Sequence, residues 1–219
     1  MVYKTAYTLL FALVSTLSAW AQTHSATQIM ERFSARMLES VAVEMHFTLS
    51  GADRQGRSIV PMEGMIYRQG DDYAMLNESV EVYAYKDTKW LYTVDNDEVI
   101  IMPHDPATTD LLENPLALFS TQLTKEYTIL PRPNSFTDKG QEIVEITLSP
   151  IGKNTPYSSI LLRINNKTFF PHSVKYIAKD NSWFEAVITK YTTIDQPFPP
   201  ERFVFSSEKH PGVYVIDLR

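Results

Sequence analysis

From Val41 to Ser50 the chain alternates without a break. Val41, Val43, Met45, Phe47 and Leu49 occupy one set of positions, and Ala42, Glu44, His46, Thr48 and Ser50 the other. Successive side chains of an extended strand point to opposite faces, so this period of two builds a strand with one apolar and one wet face. Comparable runs follow near Val60–Arg68, Tyr73–Asn77, Ser79–Tyr85, Lys89–Val94 and Val99–Met102. They resume near Tyr127–Leu130, Glu142–Leu148, Ser158–Ile164, Pro171–Ala178, Trp183–Tyr191, Phe203–Phe205 and Val213–Asp217. Connections such as Lys86-Asp87-Thr88-Lys89 and Asp95-Asn96-Asp97 are too short for a crossover, so neighbouring strands run antiparallel. With only 7 Gly against 12 Tyr, 11 Phe and 3 Trp, composition also favours extended structure.

Helical spacing occurs twice. Ser25-Ala26-Thr27-Gln28 has the form of a capping box, and Ile29, Met30, Phe33 and Met37 follow at helical intervals, which predicts an amphipathic helix ending near Ser40. Asn114-Pro115 starts a second, shorter helix carrying Leu116, Leu118 and Phe119. Two helices cannot tile one face of so wide a sheet. The chain is therefore expected to be mainly β (α+β), with a curled antiparallel sheet forming an incomplete barrel of about 11 strands. The N-terminal helix and the short central helix would act as its lid. A sandwich with a dry core fits the alternation as well.

Before Glu31 the only charge is Lys4, which an apolar run follows. Ala19-Trp20-Ala21 closes that run with small residues at the spacing of a cleavage site. Residues 1–21 are thus expected to be a secretory signal peptide and 22–219 a single exported, soluble domain. The chain has 20 basic and 26 acidic residues, a net charge of −6, and no block of like charges, which argues against nucleic-acid binding. It has no cysteine, so disulfides, thiolate metal sites, cysteine nucleophiles and lipid attachment through cysteine are excluded.

The search for chemistry is equally negative. The five histidines show no zinc-binding spacing, and His104-Asp105 reads as a solvated loop pair. No nucleophile elbow, dinucleotide fingerprint or phosphate loop occurs. An enzyme is not expected, and neither a catalytic residue, a metal nor a cofactor is assigned. Methionines such as Met45, Met62, Met65, Met75 and Met102 suit either ordinary core filling or an adaptable apolar cavity.

Several local motifs occur in a distinctive order. After the first helix and strand come Gly64-Met65-Ile66-Tyr67-Arg68, Tyr85-Lys86-Asp87-Thr88-Lys89-Trp90-Leu91-Tyr92 and Val99-Ile100-Ile101. Asn114-Pro115-Leu116-Ala117-Leu118-Phe119 follows, and Phe203-Val204-Phe205 with Gly212-Val213-Tyr214-Val215-Ile216-Asp217 closes the chain. In this order they resemble the LolA-type carriers of outer-membrane lipoproteins, in the LolA-like branch of Bacteroidetes. The resemblance covers nearly all of residues 25–219. It implies a half-barrel whose hydrophobic cavity takes the acyl chains of lipoproteins and carries them through the periplasm to the outer membrane. The implied partners are acylated lipoproteins, an inner-membrane lipoprotein-releasing ABC transporter and an outer-membrane acceptor, and the carrier would be a monomer.

By the same resemblance, Phe47, Met65, Tyr67, Tyr73, Met75, Trp90, Tyr92, Leu116, Leu118 and Phe119 would line the cavity. Arg68 would be the latch that holds the lid shut, although this chain has Arg68-Gln69 where the family usually has Arg-Pro. The family's receptor relative is lipidated on cysteine, so the absence of cysteine favours the soluble carrier. The alternative is a same-fold binder or sensor of another lipid, glycolipid or hydrophobic small molecule.

Overall fold

The computed structural model describes residues 25–108, 125–152 and 155–219. The expected signal peptide and central helix lie outside them. The first element is helix α1, Ala26–Leu38. The Ser25 hydroxyl accepts from the Gln28 N–H, and the Gln28 side chain accepts from the Ser25 N–H at 3.0 Å, completing the capping box. A 13-residue helix is marginal alone in water, so packing must hold it. Ile29, Met30, Phe33 and Met37 supply that packing, since all four are buried. Each such side chain contributes about 1.5–3 kcal/mol, as an upper bound.

Among the described residues, thirteen strands then form one sheet. They are β1 (Ala42–Ala52), β2 (Ser58–Gln69), β3 (Asp72–Asn77), β4 (Val80–Tyr85), β5 (Thr88–Thr93) and β6 (Glu98–Pro103). There follow β7 (Tyr127–Ile129), β8 (Asn134–Asp138), β9 (Gln141–Pro150), β10 (Tyr157–Asn165), β11 (Pro171–Ala178), β12 (Trp183–Ile194) and β13 (Tyr214–Asp217). The spatial order is β13-β6-β5-β4-β3-β2-β1-β12-β11-β10-β9-β7, with β8 paired to β9. The sheet curls but stays open. Its two meanders, β1–β6 and β7–β12, are joined by the long antiparallel pairing of β1 with β12. The expected curled, incompletely closed sheet is what forms, and the sandwich is excluded because every strand among the described residues belongs to the same sheet.

Three details depart from the sequence reading. Phe203–Phe205 is not a strand, because residues 200–203 make a 3-10 turn behind Pro199 and Pro200. Asn134–Asp138 is a strand despite its polar composition. The hairpin turn Lys139-Gly140, with φ of 46° and 78°, folds it back onto β9. Lastly, β13 pairs parallel to β6, with Val215 opposite Val99, after the chain has crossed from β12 to the far edge.

Candidate functional site

Cross-strand partners share a face, so the pairing registers sort the side chains. One face carries the rows Val43–Arg68–Tyr73–Ala84–Lys89 and Met45–Ile66–Met75–Val82–Leu91 across β1 to β5. In the other direction a bulge at His46/Phe47 turns both Tyr191 and Ile188 of β12 toward this same face. Tyr176, Leu162, Ile146 and Leu148 continue it through β11, β10 and β9. Helix α1 lies on this face, packed against β9, β10 and β11. It is the inner face of the curl: Arg68 on β2 still reaches the helix, although three strands separate β2 from β10.

The outer face divides into two. Over β9–β12 it carries a charged cluster among apolar side chains. Arg163 pairs with Glu145 at 2.8 Å and Glu185 at 2.6 Å, and the Ser173 hydroxyl donates to Glu185. Over β2–β6 it is aromatic, and the C-terminal segment covers it. Phe198 meets Tyr67 edge-on at 5.6 Å, Phe205 packs on Tyr83 and Tyr92, and Arg202 sits 4.4 Å above the Tyr67 ring. A cleft of about 280 Å³ opens beside this segment, its lining including one acid, Glu201, with Arg202, Lys209 and His210.

The expected cavity residues therefore separate. Phe47, Tyr73 and Met75 are on the inner face with Arg68. Met65, Tyr67, Trp90 and Tyr92 are on the outer face, packed beneath Phe198, Phe203, Phe205 and Val213, so they do not share a cavity with the other three. The reason is the period of two: residues an even number apart share a face, and Tyr67 and Arg68 are adjacent. Leu116, Leu118 and Phe119 lie outside the described residues.

Arg68 is buried, at 7% exposure, and its Nη1 donates to the carbonyl of Met37 at 2.7 Å. Met37 is in the last turn of α1, where backbone carbonyls lack helical partners and the macrodipole is negative. Burial lowers the guanidinium's pKa, yet arginine stays protonated at any physiological pH. The Tyr191 hydroxyl donates toward the Met37 sulfur, 3.9 Å away, and burial pushes its pKa up to about 12. The Tyr191 ring stacks on Phe170, over which Arg36 of α1 lies at 4.6 Å. Three groups from three strands or loops thus fasten the C-terminal turn of α1 to the sheet.

A second group near this end was missed by the sequence reading. His104 follows β6 directly and, at 6% exposure, is buried rather than solvated. Its N–H donates to the Asp87 carbonyl at 2.7 Å, which folds the residue inward beneath the β4–β5 turn. Its ring meets Tyr73 edge to face, with centroids 5.9 Å apart. No local motif signals this, because the fold creates the pairing between residues 31 positions apart.

Among the described residues no group of three or more His, Asp or Glu side chains converges to hold a metal. Nor is any described helix long and apolar enough to cross a membrane. The chemistry that remains is apolar enclosure with a few polar groups at one end.

No protein-family model matches the sequence, and no curated protein matches it. Solved structures do. An uncharacterized conserved protein from Thermus thermophilus superposes with a TM-score of 0.53 at 9% identity, covering 88% of this chain and 98% of that one. The two share a fold. A LolA superfamily protein from Nitrosomonas europaea has a TM-score of 0.43 at 10% identity, covering 83% and 98%. The Mycobacterium tuberculosis lipoprotein LppX has a TM-score of 0.45 at 8% identity, covering 80% and 97%.

Proposed function

We propose that the protein binds acyl chains against the inner face of its curled sheet and carries acylated lipoproteins through the periplasm to the outer membrane. One observation carries the reading. An open sheet keeps an apolar inner face, and the helix over it is fastened at its C-terminal turn by a buried arginine together with Tyr191 and Phe170. A dry core would need no such fastening. A carrier needs a cover that closes over apolar cargo and can be released. Burial of acyl chains stabilises the complex by about 0.8 kcal/mol per CH₂, so an apolar face is sufficient for affinity and no covalent step is required.

In this reading Phe47, Tyr73 and Met75 belong to the binding face and Arg68 is the latch. Leu116, Leu118 and Phe119 would complete the cover. The signal peptide at 1–21 directs export, an inner-membrane ATP-driven transporter loads the carrier, and an outer-membrane acceptor unloads it. The resemblance in motif order supports this reading, as does the hydrogen bond made by Arg68.

The test is lipoprotein release. The protein is incubated with spheroplasts of its own host that retain newly made lipoproteins, and the supernatant is examined for a soluble one-to-one complex. Its appearance supports the carrier. Its absence, with a different lipid found by mass spectrometry on protein purified from the host, would keep the binding face and replace the cargo. Absence of both would refute the reading.

A further inference from the structure

The inner face is apolar except at one end, where Arg68, Tyr73 and His104 gather. Arg68 and Tyr73 are cross-strand partners, and His104 packs on the Tyr73 ring. The Arg68 guanidinium has the Met37 carbonyl. The Tyr73 hydroxyl and His104 Nε2 are sealed from solvent, and among the described residues neither has a hydrogen-bond partner. Buried polar atoms are nearly always satisfied, because leaving one unpaired costs about 1–3 kcal/mol. Here two such atoms lie on side chains in contact. Phenylalanine in place of Tyr73 would fill the same space without the cost. Two orphans on side chains in ring contact at the binding face point to a polar group that arrives with the cargo.

We propose that Tyr73 and His104 form a polar subsite for the acyl carbonyl of an ester lipid, at the Arg68 end of the inner face. This rests on the acyl-binding reading and adds the class of group recognised. The Tyr73 hydroxyl and the His104 ring, with its proton on Nε2, can both donate to a carbonyl oxygen. A neutral ester suits the surroundings better than a carboxylate. Burial pushes the Tyr73 hydroxyl up to about 12, and burial followed by the nearby Lys89 lowers the pKa of His104, so both groups are uncharged at neutral pH. Lys89 is offset there by Asp71, Asp72 and Asp105, which also act on His104. A carboxylate could draw the Arg68 guanidinium away from the Met37 carbonyl, whereas an ester needs only the two neutral donors and leaves that contact in place.

The experiment compares two lipids that differ by one oxygen, 1-palmitoylglycerol and its ether 1-O-hexadecylglycerol, with palmitate as a third. Each displaces N-phenyl-1-naphthylamine from the wild-type protein, Tyr73→Phe and His104→Leu. Wild type should bind the ester about tenfold more tightly than the ether, the equivalent of one to two net hydrogen bonds. Each variant should bring that ratio toward one, and because the ratio is taken within each variant it is independent of any change in overall affinity. Equal affinity for ester and ether in wild type overturns the subsite while the binding face stands, as when a trapped water satisfies both atoms. A ratio that persists in both variants overturns it too. Tighter binding of palmitate than of the ester overturns the preference for a neutral group. Failure of all three lipids to displace the probe removes the acyl-binding reading and the subsite with it.

Discussion

Replacing Arg68 with leucine should free α1 while leaving the sheet intact. The side chain donates one charge-assisted hydrogen bond, 2.7 Å long and buried, to a carbonyl at the negative end of the helix. A bond of this kind is worth about 1.5–3 kcal/mol net, and a cation at a helix C-terminus adds about 0.3–1 kcal/mol. Leucine would recover part of this, because it avoids the cost of burying a guanidinium. It cannot satisfy the Met37 carbonyl, however, and that group would have to stay unpaired or swing out to water. The balance leaves about 1.5–3 kcal/mol against the closed position of α1, or roughly a ten- to hundredfold rise in its opening constant. Hydrogen–deuterium exchange reads this directly. Amides from residue 30 to 38 should exchange faster by that factor, while those of β9 and β10 keep their protection. Unchanged exchange in α1, or acceleration spread equally over β9 and β10, would refute the assignment of Arg68 as the fastening of the helix.

Other outcomes follow from single contacts. A Cβ on Gly64 would fall 2.4 Å from the Phe47 ring and 2.8 Å from the Leu76 carbonyl, so Gly64→Ala should destabilise by about 1–3 kcal/mol. A thermal melt should fall by roughly 2–4 °C per kcal/mol, and adding Phe47→Leu should recover part of the loss. Tyr73→Phe should raise the melting temperature of lipid-free protein, because it removes an unpaired buried hydroxyl, whereas an ordinary buried tyrosine would lose stability. Arg163→Met should destabilise by about 1–3 kcal/mol in denaturant titration, since it leaves Glu145 and Glu185 on the same face without their shared cation. The Asp217 carboxyl, hydrogen-bonded by Arg219, is held at about 2 against an ordinary 3.8. A depressed carboxyl stabilises the fold above its unfolded value, so this contribution is present above pH 3.8 and lost as pH falls toward 2. Carbon NMR of Asp217 should titrate near the lower value, and Arg219→Ala should return it toward the upper one.

How much was legible in advance follows from the range of each interaction. The capping box at Ser25 and Gln28, the amphipathic α1 and most of the strands depend on neighbours within a few residues, so period and capping chemistry revealed them. Asn134–Asp138 escaped because its pairing with β9, and not its own composition, makes it a strand. Phe203 and Phe205 read as strand residues by alternation, yet prolines at 199 and 200 turn the chain there and the rings become plugs on the aromatic outer face.

The same division runs through the site. Alternation alone was enough to require antiparallel strands with a distinct apolar face, because a strand has only two faces and one must avoid water, but it fitted a curled sheet and a sandwich alike. It could not say which face is inner, since over β2–β6 both faces carry large apolar and aromatic side chains. Met75 and Tyr67 look equally suited to a cavity in sequence and end on opposite sides. Only the curl of the sheet decided between them, by bringing α1 over one face and the segment after Pro197 over the other. It also brought Arg68 to Met37 and His104 to Tyr73. These pairs are 31 residues apart in each case, and their meeting depends on the strand order and the closure between β1 and β12, a global property that no local pattern encodes.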